Sequence, residues 1–175
     1  ISITDNIAEN LRLAIQEHRA NHLEAAEQAY KQVLEIQANH AEALYGLGML
    51  SQQKGELQQG EEFLTLALQE QPDSVKVCFA LGNLYQIQEK LPEAEAAYRK
   101  AIALRPDAAS IYNNLGYTLE QQGKWKEAIN YYKRTLEIQP NCIEADVNLG
   151  NLLHAKARLS PDKKSYYAKL NYKLG

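Results

Sequence analysis

"IYNNLGYTLEQQGKWKEAINYY", residues 111–132, places a glycine inside what otherwise reads as a helix. Ile111, Tyr112, Leu115 and Leu119 follow the i, i+3/i+4 spacing of one buried helical face. Gly116 costs such a helix about 1 kcal/mol relative to alanine, so packing must offset it. Gly123-Lys124 ends the helix, because glycine tolerates the left-handed cap. Trp125, Ala128, Ile129, Tyr132 and Leu136 mark a second helix, closed by Pro140, which cannot donate the helical hydrogen bond. Two antiparallel helices joined by so short a turn approach closely. Gly116 is therefore expected to face Ala128, with Tyr112, Leu115 and Tyr132 filling the space around them.

The glycine belongs to a series. Gly48, Gly82, Gly116 and Gly150 stand 34 residues apart, each preceded by leucine, and Leu13-Ala14 occupies the slot one period earlier. Pro72, Pro106 and Pro140 keep the same spacing, with Ala38 first in their column. Ala26, Gly60, Ala94 and Ala128 form a column of small residues; Tyr30, Leu64, Tyr98 and Tyr132 form one of large apolar residues. No insertion disturbs the register from Ile7 to Cys142. Gly55, Asn21 and Pro92 supply further turn and first-position chemistry. A fixed period of this length is the mark of a stacked repeat.

Composition bounds the function. The 175 residues are 45% hydrophobic and 23% charged, with a net charge of −3, so neither a basic nucleic-acid surface nor an acidic tail is indicated. No apolar run approaches the roughly 20 residues that span a bilayer, and "ISITDNIAENL" at residues 1–11 has no signal-peptide pattern. Cys78 and Cys142 are too few for a disulfide framework and read as free thiols in a reducing, cytoplasmic compartment.

Taken together, the columns resemble the tetratricopeptide repeat family, a 34-residue helical pair with large, Leu-Gly, aromatic, Ala and Pro positions. The resemblance is to its consensus-like bacterial members or to the arm of the O-linked N-acetylglucosamine transferases. It implies an all-α, right-handed superhelical solenoid of antiparallel helix pairs, whose first helices line a concave groove that holds a peptide or protein segment. The units run 7–40, 41–74, 75–108 and 109–142, after a lead-in at 1–6 and before a degenerate fifth unit at 143–175. Asn10 and Asp146 stand where the family has a large residue, which suits polar end units. In the last stretch Ser160 and Pro161 open a helix whose Tyr166, Tyr167, Leu170 and Leu174 share an apolar face. That helix is expected to pack on the fourth unit and close the array; the alternatives are an exposed docking helix or a cut end.

Carried over by register, the resemblance places Leu11, Ile15, Tyr45, Met49 and Phe79 in the groove as an apolar stripe. His18, Arg19, Glu42, Gln52, Lys76 and Gln86 accompany them. Asn83, Asn113, Asn114, Tyr117, Asn148 and Asn151 follow as an amide-rich stripe. Asparagine forms helix poorly, and its amide can both donate to and accept from a peptide backbone. A gripping ladder and a row of solvated polar side chains both satisfy the pattern. The family's carboxylate clamp for acidic chaperone C-termini is excluded, because Phe79, Glu144 and Asn148 stand where it has cations, leaving a carboxylate desolvated and unpaired. Arg19 and Lys76 against Glu42, Asp73, Asp107, Glu120 and Glu144 make the groove net acidic, which favours a neutral-to-basic ligand.

Catalytic and metal motifs are absent from the reading. "GLG" at residues 46–48 lies within a helix without a preceding strand, and Asn21 ends the helix between His18 and His22, so they share no face as zinc ligands would. All four histidines are expected at a solvated surface, and Glu95 with Arg99 as a solvated i,i+4 pair. Cys78 is expected to be buried and inert. The sequence thus predicts a protein–protein interaction module with no enzymatic activity, cofactor, nucleic acid or membrane of its own. The alternatives are the substrate-recruiting arm of a larger glycosyltransferase, or a scaffold that self-associates through the groove or the C-terminal helix.

Overall fold

A computed structural model describes residues 2–159. Among the described residues there are nine α-helices and no strand: α1 (Ile3–Arg19), α2 (Leu23–Ile36), α3 (Ala41–Lys54), α4 (Leu57–Glu70), α5 (Val75–Ile87), α6 (Leu91–Leu104), α7 (Ala109–Gln121), α8 (Trp125–Ile138) and α9 (Ile143–Leu159). The fold is an all-α helical repeat of the solenoid type. Two compact units divide it, the first ending at Pro106 and the second beginning at Asp107. The helix expected around Tyr166, Tyr167, Leu170 and Leu174 lies outside the described residues.

In the first unit α1 packs on α2, α3 on α4 and α5 on α6, while α2 meets α3 and α4 meets α5. Ala14, Ala26, Tyr30, Val33, Leu47 and Leu50 make one core cluster; Leu44, Leu64, Val77, Leu81 and Leu84 are in a second. In the second unit α7 packs on α8, and α9 touches both. Leu115, Leu119, Ala128 and Tyr132 are fully buried there. Helix α1 starts within the lead-in, because Ser2 and Asp5 form a capping box: Asp5 N–H donates to Ser2 Oγ and Ser2 N–H to Asp5 Oδ2, each at 3.1 Å.

The glycine column makes its tightest approach to the expected large column rather than to the small one. A Cβ on Gly116 would stand 2.8 Å from two ring carbons of Tyr132, so the ring sixteen residues on, rather than Ala128, lies nearest. Gly82 meets Tyr98 in the same way at 2.5 Å. At Gly48, where the large residue is Leu64, the small column also comes close, with the Gly60 carbonyl oxygen 3.3 Å from the same point. The helix-breaking residue makes room for a buried aromatic ring, and the lost propensity is offset by that ring's burial.

Four hairpin turns use left-handed backbone, at Asn21, Gly55, Glu89 and Gly123. Glu89, with φ of 58°, lacks glycine's freedom and carries a cost of about 1–2 kcal/mol. Glu89→Gly is expected to stabilise the first unit by up to about 1 kcal/mol, read as a higher urea midpoint; an unchanged midpoint would show that the turn carries no strain.

Three surface expectations are corrected. His18 and His40 are half-buried and structural: His40 Nδ1 accepts from the Ala43 N–H at 3.3 Å as a helix cap, and His18 reaches Tyr30. Glu95 is only 7% exposed, paired with Arg99 rather than solvated. Cys78 is buried as expected, and burial pushes its thiol pKa up.

Candidate functional site

Helices α1 and α3 build most of a cleft in the first unit. Its volume is about 770 Å³, and its lining includes Ile15, Tyr45, Met49 and Gln52, with Leu57 and Ile87 along the edge. Gly46 lets α3 press on α2: a Cβ there would stand 2.3 Å from the Tyr30 ring, which also lines the cleft. Ile15, Tyr45 and Met49, predicted from register, are thus brought together, all half-buried. Leu11 and Ile15 line a neighbouring depression on α1 with Ala8, Arg12, Gln16 and Arg19. Phe79 and Asn83 lie instead beside the third hairpin's tyrosine. The Phe79 and Tyr98 ring centroids are 6.0 Å apart, and Tyr98 donates its hydroxyl to Asn83 Oδ1 at 2.7 Å.

The cleft carries opposed charges on its rim. Arg19 and Glu42 both line it. Lys76 Nζ lies 3.4 Å from Glu42 Oε1 and 4.7 Å above the Tyr45 ring, so one corner already holds an ammonium by charge and cation–π attraction. Burial, and next the Glu42 charge, raise the Tyr45 pKa.

A second pattern joins the buried tyrosines of α2, α6 and α8 to the first helix of their hairpins. In the first unit, the Tyr30 hydroxyl is 3.4 Å from His18 Nδ1, and Tyr98 donates to Gln86 Oε1 at 3.1 Å. In the second, Tyr132 donates to Glu120 Oε2 at 2.7 Å. One partner of each tyrosine precedes it by twelve residues, and Tyr98 has Asn83 as a second, nearer acceptor at 2.7 Å. The same spacing joins Gln52 to Leu64, which has no hydroxyl, and the buried Gln52 Oε1 has no hydrogen-bond partner among the described residues.

Tyr30 and Tyr132 are held neutral. Burial is the largest cause of the raised pKa of Tyr30 and of Tyr132, and the hydrogen bond to Glu120 raises Tyr132 further. A raised folded-state pKa leaves stability intact below the unfolded phenol value of about 10 and removes it as pH climbs above. The melting temperature is therefore expected to begin falling above about pH 8.5, where the buried Cys78 thiol would ionise in the unfolded chain, and to fall more steeply beyond about pH 10 as the phenols follow. Tyr132→Phe should flatten that fall; an equal slope in the variant would contradict the assignment.

In the second unit the asparagines divide. Asn113 is 3% exposed, and Asn148 Nδ2 donates to its Oδ1 at 3.5 Å. This corrects the expectation that it is free of the helix core: a buried amide must find a partner, and another asparagine provides it. Asn114 is half-buried, its carbonyl oxygen accepting from Thr118 Oγ1 at 2.9 Å. Tyr117 and Asn151 are exposed. Among the described residues no cluster could hold a metal ion, and no helix is long and apolar enough to cross a membrane.

Two family models, both described as tetratricopeptide repeat, match residues 18–77 and 78–141. The chain is a tetratricopeptide repeat protein. No curated protein sequence matches it. Among solved structures, the chain is similar to the MamA protein, at 25% identity over 95% of this chain and 90% of that one, with a TM-score of 0.82. It is similar to YrrB, described as a TPR protein with an unusual peptide-binding site, at 21% identity over 94% and 86%, TM-score 0.77. The first TPR of Spaghetti (RPAP3), bound to the HSP90 peptide SRMEEVD, is 25% identical over 67% and 93%, TM-score 0.65. This tetratricopeptide repeat chain is a protein–protein interaction module.

Proposed function

We propose that the first unit captures a neutral-to-basic peptide or helical segment in the cleft lined by Ile15, Tyr45 and Met49. The open apolar cleft of about 770 Å³ carries the reading: its walls are half-buried side chains that leave the middle unfilled, and such a surface gains by excluding water from a partner. The Glu42–Tyr45 corner, which already holds Lys76, supports a basic rather than an acidic ligand. The peptide complex of the RPAP3 repeat supports the mode of binding. Its acidic peptide is not carried over, since Phe79 stands where the family's clamp has a cation. The module works by binding, without chemistry of its own, and its two free thiols suit the cytoplasm.

Random peptides displayed on phage, panned against the chain, test this. Tyr45→Ser combined with Met49→Gln is expected to lower capture at least tenfold, the scale of losing a buried anchor, while helical circular dichroism is retained. Equal capture by the double variant would remove the site.

A further inference from the structure

We propose that the cleft of the first unit accepts an aromatic side chain bearing a hydrogen-bond donor on its rim, a tryptophan or tyrosine of the partner peptide, with Gln52 Oε1 as its acceptor. The proposal deepens the peptide-binding reading and rests on it.

His18 with Tyr30, Gln86 with Tyr98 and Glu120 with Tyr132 each meet across the twelve-residue spacing. In the second hairpin the tyrosine is Leu64, and the Gln52 side chain that would have met its hydroxyl lines the cleft, its Oε1 buried and without a partner among the described residues. A buried acceptor left unpaired costs about 1–3 kcal/mol, which an incoming donor recovers. Gln88 Oε1 is also unpaired, but it sits at the α5 C-cap and is not part of this cleft.

The walls select the rest of the ligand. Ile15, Met49 and Tyr45 offer aliphatic, thioether and ring surface, which an aromatic body fills well. A charged donor is disfavoured. Gln52 is neutral, and an amide does not repay the desolvation of an ammonium, which the Glu42–Tyr45 corner rather than this acceptor is suited to hold. An indole N–H or phenol O–H carries no such penalty. The Gln52 amide turns about its last torsion, which is broad and soft, to aim Oε1 into the cleft.

Phage-displayed random peptides captured by the full chain are sequenced, and representatives are synthesised with tyrosine replaced by phenylalanine or tryptophan by 1-methyltryptophan. Tryptophan and tyrosine are expected to be enriched, and removal of the donor to weaken binding about three- to tenfold. On Gln52→Leu the same replacement should change affinity less than twofold. Leu64→Tyr should behave likewise, its hydroxyl satisfying Gln52 from within; Gly48 offers the room that Gly82 and Gly116 give their tyrosines, so this variant keeps the test readable if Gln52→Leu folds poorly. Capture that depends on Tyr45 and Met49 but shows no aromatic enrichment, or discrimination that survives in either variant, would overturn this inference and leave peptide binding standing. Absence of any Tyr45-dependent capture would overturn both.

Discussion

Gly82→Leu is expected to destabilise the first unit by about 1–3 kcal/mol or more, the cost of overpacking a closed core. Even a Cβ at this position would stand 2.5, 2.6 and 2.9 Å from three ring atoms of Tyr98. The ring cannot retreat. Tyr98 is fully buried, its hydroxyl is fixed by Asn83 and Gln86, and Phe79 stands beside it. Gly150 is the internal control, a helical glycine of the same column with nothing within 4 Å of its added Cβ. Gly150→Ala should therefore gain up to about 1 kcal/mol of helix propensity. Urea titrations followed by circular dichroism separate the cases: the midpoint falls for Gly82→Leu and rises slightly for Gly150→Ala. Similar midpoints for the two variants would show that the column is not a packing device.

Tyr98→Ala should cost still more, about 3–5 kcal/mol, the range for deleting a buried aromatic side chain. The void would open between α5 and α6, whose close approach the ring fills through Gly82. Tyr98→Phe separates the hydroxyl from the ring. It keeps the packing and removes a donor shared by two acceptors, for about 1–3 kcal/mol if Asn83 and Gln86 are left unsatisfied. The expected order of urea midpoints is wild type, then phenylalanine, then alanine. A phenylalanine variant as unstable as alanine would move the energy from packing to the hydrogen bond.

The architecture was legible because it rests on spacing. Gly48, Gly82, Gly116 and Gly150 recur without a slip, and α3, α5, α7 and α9 begin at residues with that same 34-residue interval. The identity of the contact was not legible. Period shows which helices face each other, but whether Gly116 meets Ala128 or Tyr132 depends on how far a ring reaches, which only side-chain geometry reveals. Burial of polar groups was equally hidden. Asn113 and Glu95 look like surface residues until Asn148 and Arg99 are placed beside them. The walls Ile15, Tyr45 and Met49 could be named from register, whereas Tyr30, Leu57 and Ile87 could not, since the first two belong to second helices and Ile87 is the last residue of α5. The signal for the open acceptor was present all along, as Leu64 in a column otherwise made of tyrosine.

The phenol partners also distinguish one hairpin from the next. A chain of near-identical modules is prone to assemble out of step, with the second helix of one module settling on the first helix of another. Here such an exchange would set the Leu64 helix against Glu120, stranding a carboxylate, or bring Tyr132 to His18 and separate it from its acid partner. Imidazole in the first hairpin, amide in the second and third and carboxylate in the fourth thus make an exchanged pairing chemically different from the native one wherever the two partners differ.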